Sequence, residues 1–428
     1  MIKGIVIGGG LAGLSASVYL SQKGIKVTLL EASPKLGGRT YSFLYNNRNT
    51  IVDNGQHIMM GCYNYTLDFL ETIKAKDKIE FQNNLKVLFI EPGGKYSELN
   101  ADKFIYPFNL LFGILKYSSI RFRDRLLITK LMMKLPLIDL KYLRNKTVKE
   151  WLIQEKQSEL AIRKFWAIIA VGTLNSKLEN ASAEIFCRIL KTIFFSGSKS
   201  TKIVLPKEGL SQVFSNNAEI FLEGNNSEIH CSEKVTGFSL ENNLIESVQT
   251  NSDCYSDFDF VVSCIPEYRL KKILNYSSYE STFEYSPIVT IHLWLKDNPF
   301  RERFYGLVDS KIHWLFNNKS HISVLTSCAF DLVNIKNSEL FEIICSELEN
   351  YFPIFYTNLI SDYKIIKEKR ATFLPTVENC KERLNINTSL GNLYLAGDWT
   401  VKELPATIES AIKSGKIAAN NVILDFIN

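Results

Sequence analysis

The hydrophobic positions at the beginning of the chain predict a strand, a helix and a second strand. Residues 2–7 form a short apolar run rich in Ile and Val, which is typical of a buried parallel strand. Residues 11–20 have a helical period with small side chains on one face, and Gly24 can end that helix in a left-handed conformation. Residues 25–30 predict the second strand, which ends at Glu31.

Two stretches far along the chain have the same character and would join this sheet. Residues 258–264 and 392–396 predict short buried strands. A helix follows the second of them. We expect this helix to begin near Leu404, with Pro405 in its first turn, and to run to about Phe426.

The middle of the chain predicts antiparallel structure. Residues 229–240 and 244–250 flank an Asn-containing turn and predict a hairpin. Alternating or aromatic runs further along predict an antiparallel sheet under a substrate cavity, and an amphipathic stretch predicts a helix over residues 338–351. The strands of this sheet are expected at residues 288–295, 311–316 and 322–330.

The turn after the first strand carries a glycine pattern with a defined chemistry. Gly8, Gly10 and Gly13 form G-x-G-x-x-G between the predicted strand and helix. Gly8 allows the tight turn, Gly10 lets the backbone approach a pyrophosphate, and Gly13 lets helix and strand pack closely. Glu31 can accept hydrogen bonds from both ribose hydroxyls of an adenosine. The pattern predicts a dinucleotide site, but it does not separate FAD from NAD.

Two further segments favour a flavin, because an NAD enzyme does not require them. Gly38 and Arg39 can bring backbone and a guanidinium to the second side of a pyrophosphate. Gly397 and Asp398 precede the last predicted helix, whose N-terminus would stabilise the negative N1–C2=O2 edge of a reduced flavin through the helix dipole. The candidate residues at that N-terminus are Ala406, Thr407 and Ile408.

The composition narrows the class of protein. The 428 residues are 46% hydrophobic and 22% charged, which is ordinary for a globular protein. The net charge of +5 is too small to indicate a nucleic acid partner. Eight cysteines without a C-x-x-C pair predict no zinc or iron–sulfur site and fit the reducing cytoplasm. The uncharged stretch at residues 104–115 is shorter than the roughly twenty residues of a membrane-spanning helix.

Positive charge is concentrated in one segment of the chain. Residues 103–149 hold eleven Lys and Arg and two Asp, interspersed with Phe, Leu and Met. Apolar anchors beside cations are typical of a helix that lies on an anionic leaflet, here the inner face of the cytoplasmic membrane. A solvated face over an ordinary core helix would have the same pattern, and the sequence leaves both interpretations open.

Blocks spread over almost the whole chain resemble one family of flavoproteins. These are D-N-G-Q-H-x-x-x-G at residues 53–61, the helical block at 166–186, R-A-T-F-L-P at 370–375, and G-D-W-T with L-P-A-T-I-E within 397–409. Together with the glycine motifs, they resemble the squalene-associated FAD-dependent desaturases of the amine oxidase/phytoene desaturase superfamily. The resemblance implies an α/β fold, with a FAD-binding Rossmann-like domain of the p-hydroxybenzoate-hydroxylase type interleaved with an α+β substrate domain.

The resemblance also implies how the chain is divided between these domains. It places the backbone amide of Val235 against the adenine of FAD. It makes the basic segment, at residues 104–149, the membrane-facing part of the substrate domain. The implied ranges are 1–75, 205–275 and 385–428 for the FAD domain, and 76–204 and 276–384 for the substrate domain.

The reaction that the resemblance implies is the reduction of hydroxysqualene to squalene by hydride from reduced FAD, in squalene and hopanoid biosynthesis. His57, beside Gln56 and Asp53, is then the candidate acid for the leaving hydroxyl, or else a structural histidine that holds its loop near the flavin. Three alternatives stay open: a carotenoid or phytoene-type desaturase, a flavin amine oxidase, and a flavoprotein that only escorts prenyl lipids. The oligomeric state is not predicted.

Overall fold

The fold is described from a computed structural model over residues 2–102, 104–274, 283–383 and 388–427. Its strands are β1 (Lys3–Ile7), β2 (Lys26–Glu31), β3 (Ser42–Tyr45), β4 (Thr50–Asp53), β5 (Met59–Met60), β6 (Ile79–Phe81), β7 (Lys86–Glu91), β8 (Lys95–Asn100), β9 (Ile203–Pro206), β10 (Glu228–Cys231), β11 (Val235–Glu241), β12 (Leu244–Thr250), β13 (Cys254–Tyr255), β14 (Phe260–Ser263), β15 (Tyr285–Leu295), β16 (Phe304–Leu307), β17 (Trp314–Asn317), β18 (Ile322–Thr326), β19 (Ile360–Phe373) and β20 (Leu393–Leu395). Its helices are α1 (Leu11–Ser21), α2 (Asn64–Thr72), α3 (Phe108–Lys116), α4 (Phe122–Lys134), α5 (Val148–Gln154), α6 (Glu159–Ala161), α7 (Ala167–Leu174), α8 (Ala183–Phe195), α9 (Leu210–Val213), α10 (Ser215–Gly224), α11 (Glu267–Leu274), α12 (Asn337–Tyr351), α13 (Val377–Glu382) and α14 (Ile408–Phe426).

A parallel sheet in the order β10-β2-β1-β14-β20 joins the beginning, middle and end of the chain. The strands predicted at residues 2–7, 25–30, 258–264 and 392–396 are confirmed as β1, β2, β14 and β20. Helices α1 and α14 pack against each other beside this sheet. A Cβ on Gly13 would lie 1.8 Å from the carbonyl oxygen of Gly8, so glycine is required where α1 approaches the end of β1.

A second sheet, in the order β19-β15-β18-β17-β16-β7-β8, is antiparallel except between β16 and β7. It contains the three strands predicted between residues 288 and 330, although β15 begins earlier and β17 begins later than expected. Helix α12 begins one residue before the predicted helix and ends where that helix was expected to end. The combination of a parallel and a largely antiparallel sheet confirms the mixed α/β fold.

The predicted hairpin is only partly correct, because its first strand is divided between two sheets. Strand β10 pairs with β2 in the parallel sheet, whereas β11 pairs with β12 in a small antiparallel sheet. The chain turns at Ser232, whose φ of 61° interrupts the extended backbone. The amides of Ser232 and Glu233 then bond to the carbonyls of Ser33 and Glu31, which holds the turn at the end of β2.

The last helix begins later than predicted, so Pro405 lies before it and not in its first turn. Thr407 is the N-cap: its Oγ1 accepts a hydrogen bond from the amide of Ser410, and the Ser410 hydroxyl accepts one from the amide of Thr407. This reciprocal capping box satisfies amides that the first turn of a helix leaves without intrahelical partners. It therefore fixes the start of α14 at Ile408.

A layer of helices from α3 to α8 covers one face of the second sheet around a core that contains Trp151, Trp166 and Phe186. Within the described ranges, every helix is too short or too polar to cross a bilayer. The division into FAD and substrate domains stays a prediction. Its boundaries near residues 275 and 385, and residue 428 at the end, lie outside the described residues.

Candidate active site

Glu31 is held beside the glycine turn by two backbone amides. Its Oε2 accepts a hydrogen bond from the amide of Gly9 at 2.6 Å, and its Oε1 accepts one from the amide of Ser33 at 2.7 Å. Each carboxylate oxygen can accept a further hydrogen bond. The carboxylate is therefore fixed at the end of β2, and its contact with ribose hydroxyls stays a prediction.

The two glycine segments meet backbone to backbone. The amide of Gly37 donates to the carbonyl of Gly9 at 2.9 Å, and a Cβ on Gly38 would lie 3.0 Å from the Cα of Gly10. With φ at +57°, Gly38 also has a backbone conformation that other residues rarely adopt. A side chain at Gly38 would collide with the backbone of Gly10, so the close approach of these two segments requires glycine, which fits a turn that binds the pyrophosphate of a dinucleotide such as FAD.

Val235 lies at the start of β11, two residues after Glu233, whose amide bonds to the carbonyl of Glu31 at 2.8 Å. Its side chain is buried in a cluster that includes Ile7 and Leu30. The structure thus places Val235 near the end of β2 that carries Glu31. A contact between its amide and adenine stays a prediction.

Arg39 forms a bridge between the two ends of the chain. Its Nη2 lies 2.8 Å from Oδ1 of Asp398, which is buried, and its Nη1 donates to the carbonyl of Ala371 at 2.8 Å. The amide of Gly397, just before Asp398, donates to the hydroxyl of Ser414 on α14. The expected pyrophosphate contact of Arg39 stays a prediction, because its nearest anion here is a carboxylate.

The N-terminus of α14 lies close to α2 and to Tyr63, the residue that precedes α2. Glu409 is buried, and its carboxylate accepts hydrogen bonds from the amides of Tyr65 and Thr66 in the first turn of α2. Burial raises the pKa of Glu409, and these hydrogen bonds oppose the shift. Glu409 is therefore committed to α2. A contact of the helix end formed by Ala406, Thr407 and Ile408 with a negative flavin edge stays a prediction.

Asp53 has structural partners. Its Oδ1 accepts a hydrogen bond from the hydroxyl of Ser42 at 2.7 Å and one from the amide of Leu210 at 2.9 Å. Burial raises the pKa of Asp53, and these two hydrogen bonds oppose the shift. The carboxylate therefore joins the β3–β4 hairpin to the start of α9. A direct role of Asp53 in catalysis stays a prediction.

His57 is fixed by one hydrogen bond to its own loop, in which Nδ1 lies 3.0 Å from the carbonyl oxygen of Gly55. Burial lowers the pKa of His57; the hydrogen bond to Gly55 opposes this shift, and the positive charge of Arg39 adds to it. The ring is therefore neutral at pH 7. Since a carbonyl only accepts, Nδ1 carries the proton and Nε2 is left as a hydrogen-bond acceptor.

A buried polar network that was not predicted from the sequence contacts this loop. His292 on β15 donates from Nε2 to the carbonyl of Asp53 at 3.0 Å, and its Nδ1 lies 2.9 Å from the hydroxyl oxygen of Ser323. That oxygen also accepts hydrogen bonds from the side-chain amides of Gln56 and Asn318. Burial lowers the pKa of His292 to about 3. A histidine in the middle of a buried apolar strand was the available signal.

A hydrogen-bonded pair that was also not predicted from the sequence, Tyr285 and Glu267, lies close to Arg39. The hydroxyl of Tyr285 donates to Oε2 of Glu267, which is almost completely buried, at 2.5 Å. Burial raises the pKa of Glu267, and the bond to Tyr285 opposes the shift. Tyr285 also lines a cavity of about 540 Å³. The other residues that line it are Lys177, Asn180, Glu284, Phe330 and Leu374.

The geometry can now be compared with known proteins. Residues 11–423 match the family described as flavin containing amine oxidoreductase. The chain belongs to this family. It is 25% identical over 417 residues to hydroxysqualene dehydroxylase of Zymomonas mobilis, an alignment that covers 97% of both chains. It is 22% identical over 468 residues to a 15-cis-phytoene desaturase of an Oncidium hybrid cultivar, covering 99% of this chain and 78% of that protein. Putrescine oxidase with bound putrescine superposes with a TM-score of 0.72 at 15% identity, over 99% of both chains.

Membership of this family determines the cofactor and the class of reaction. The cofactor is FAD, and the protein is a FAD-dependent oxidoreductase. That the glycine turn, Glu31 and the N-terminus of α14 hold this FAD stays a prediction. The roles of the individual residues in binding and catalysis stay predictions.

Proposed function

We propose that this flavoprotein reduces hydroxysqualene to squalene. The observation that carries the proposal is the match to a hydroxysqualene dehydroxylase over 97% of both chains. The phytoene desaturase is matched at lower identity and over a smaller share of its own length. The likeness to putrescine oxidase is at 15% identity and supports the fold alone.

The proposed reaction breaks one C–O bond and forms one C–H bond. The hydroxyl leaves with a proton as water, and the allylic carbon gains a hydride. Reduced FAD, when bound as the anion, supplies the hydride and is oxidised, and the proton that leaves with the hydroxyl as water is taken up from the medium. The chain must orient the hydroxyl, hold the prenyl lipid and exclude bulk water from the reacting carbon.

His57 is suited to orient the hydroxyl. Its neutral ring offers Nε2 as an acceptor, so it can receive a hydrogen bond from a substrate O–H. The Gly55 carbonyl holds the ring, and the network of His292 and Ser323 contacts the backbone of Asp53 and the side chain of Gln56 in the same loop. We therefore assign His57 an orienting role in preference to that of an acid.

The runner-up function is a phytoene-type desaturase, which the 22% identity to a phytoene desaturase favours. The two reactions move hydride in opposite directions, so the redox state of the flavin separates them. The holoprotein is reduced by light under anaerobic conditions and mixed with hydroxysqualene. We expect the yellow absorbance of oxidised flavin to return, with one squalene formed per flavin.

The matched experiment uses the oxidised holoprotein with phytoene, also without oxygen. We expect the flavin spectrum to stay unchanged. Bleaching of the flavin by phytoene, with no reoxidation of the reduced protein by hydroxysqualene, would replace the dehydroxylase proposal by the desaturase. No change of the flavin spectrum with either lipid would favour a protein that only carries prenyl lipids.

We also propose that the chain is divided into the FAD and substrate domains as the sequence implies. Strands of the parallel sheet come from the three ranges assigned to the FAD domain, and the seven strands of the second sheet come from the ranges assigned to the substrate domain. This distribution supports the division.

We further propose that the basic segment lies on an anionic membrane, from which the prenyl lipid is taken. On helix α4, apolar side chains are exposed beside cations, which is unlike an ordinary solvated face. Ile105 and Leu137, on either side of α3 and α4, are 80% and 87% exposed. We call this region the interfacial surface; its other exposed apolar residues are Phe104, Phe108, Phe122, Leu126 and Met133.

A further inference from the structure

Arg383, which follows helix α13, is a completely buried cation. Its guanidinium lies over the ring of Phe373, with 4.5 Å between the guanidinium carbon and the ring centroid. Burial lowers the pKa of Arg383, and the thiol of Cys380 and the carboxylate of Asp398 oppose the shift. A buried cation is costly unless its donors are satisfied. Nη1 has no hydrogen-bond partner among the described residues, and the partners of the other two nitrogens indicate what the side chain does.

The partners of Arg383 are carbonyl oxygens of a single loop. Nε donates to the carbonyl of Trp399 at 3.0 Å, and Nη2 donates to the carbonyl of Leu404 at 2.9 Å. Nη2 also approaches the carbonyls of Asp398 and Val401. These residues form the loop that joins β20 to α14. One side chain therefore contacts carbonyls near both ends of this connection.

This loop carries parts of the structure that fit the flavin. It begins with Asp398, which pairs with Arg39, and it leads to the capped N-terminus of α14 at Thr407. In a trans peptide the N–H points away from the carbonyl. Where a carbonyl points toward Arg383, the N–H of the same peptide group therefore points away from it. The positive guanidinium thus lies at the carbonyl end of these peptide dipoles.

We propose that Arg383 is a positioning residue that holds this loop and whose buried charge favours the reduced, anionic form of the bound flavin. In the low-dielectric interior a fixed cation acts over a longer distance than it would in water. Its field adds to that of the α14 N-terminus, which also favours negative charge. The proposal rests on FAD binding and is independent of which lipid is the substrate.

The test compares two substitutions at the same position in the purified holoprotein, without any lipid. Arg383→Gln keeps hydrogen-bond donors but removes the charge, whereas Arg383→Lys keeps the charge but spans fewer carbonyls. We expect Arg383→Gln to weaken binding of reduced relative to oxidised FAD by about tenfold, which lowers the two-electron midpoint potential by about 30 mV. We expect Arg383→Lys to change this ratio less than about threefold, while FAD dissociates more readily from both variants.

Arg301→Gln is the matched control, because it removes one arginine charge from the exposed loop between β15 and β16, outside the segments that carry candidate site residues. We expect its midpoint potential and FAD affinity to equal those of the unaltered protein. An unchanged potential in Arg383→Gln would overturn the proposal, as would equal shifts in Arg383→Gln and Arg383→Lys. If Arg383→Gln does not fold, Arg383→Lys alone tests the proposal. A tenfold change in the ratio of its affinities for reduced and oxidised FAD would overturn the proposal, as would FAD dissociation equal to that of the unaltered protein.

Discussion

At the scale of single residues, one hydrogen bond determines what His57 can do. Nδ1 is committed to the carbonyl of Gly55, and the lowered pKa leaves the ring without a second proton at pH 7. A general acid needs a proton at the nitrogen that faces the substrate. The remaining nitrogen is an acceptor, and it can fix the direction of a hydroxyl without protonating it.

This arrangement predicts a modest effect of substitution at His57. Loss of one neutral hydrogen bond costs about 1 kcal/mol, so His57→Ala should slow turnover per bound flavin by roughly tenfold or less. His57→Gln should be close to normal, because the side-chain oxygen of glutamine can still accept a hydrogen bond. Squalene formation measures turnover, and flavin absorbance measures occupancy.

Two other outcomes would contradict the orienting role of His57. A loss of about 10² to 10⁴ in both variants, at unchanged FAD occupancy, is what removal of a general acid would give. A fall in FAD occupancy and melting temperature with normal turnover per flavin would instead mean that His57 only supports its loop.

At the scale of elements, helix α4 has two different faces. Ile128, Leu131 and Met132 are buried against the helical layer. Phe122 and Met133 are exposed on the other side, next to the exposed cations of the same helix. A face that only contacted water would not need these apolar side chains, whereas a face that enters a lipid headgroup region uses both kinds.

The interfacial surface predicts binding to anionic vesicles that is weakened by salt. The cations are attracted to anionic lipid within a Debye length, and the apolar side chains enter the leaflet. Ile105→Ser combined with Leu137→Ser should weaken co-sedimentation by at least about tenfold, since each large apolar side chain contributes roughly 1.5 to 3 kcal/mol when fully buried.

Ile220→Ser on α10 is the control, because Ile220 is 68% exposed but lies outside the interfacial surface. It should leave vesicle binding unchanged. Equal binding to neutral vesicles at high salt would contradict the electrostatic part of the proposal. Equal binding by the double variant and the control would contradict the apolar part.

At the scale of the whole molecule, buried neutral histidines connect stability to pH. Burial lowers the pKa of His292 to about 3 and that of His321 to about 4, from an ordinary value of 6.5. Above pH 6.5 these side chains are neutral in both the folded and the unfolded chain. As the pH falls from 6.5 toward 4, the unfolded chain binds protons that the folded protein does not, so the folded state loses stability.

We therefore expect the melting temperature to fall between pH 6.5 and 4.5, with each histidine contributing up to about 1.4 kcal/mol per pH unit. His321→Gln should make this fall less steep, because glutamine does not titrate. Identical slopes in the His321→Gln variant and the unaltered protein would contradict this assignment. Thermal unfolding in matched buffers provides the measurement.

The sequence by itself determined the first strand–helix–strand unit, the glycine turn with Glu31 at the end of β2, and part of each sheet. The predicted strands are β1, β2, β14 and β20 of the parallel sheet and β15, β17 and β18 of the second sheet. These features depend on patterns within a few residues: apolar periodicity, and glycines where a side chain at Gly13 or Gly38 would collide with backbone. The prediction of a flavin came from the resemblance of several short blocks. One of these blocks contains Gly397 and Asp398, which follow a strand of the same parallel sheet.

The tertiary structure alone decided which residues meet across long separations. The bond from His292 to Asp53 joins positions 239 residues apart, and no local pattern predicts it. In the sequence, Arg383 is one more charged residue after Lys381 and Glu382; only packing shows that it is buried against the carbonyls of the 398–404 loop. Hydrogen bonding and burial depend on the partner as much as on the residue, and the chain order does not give the partner.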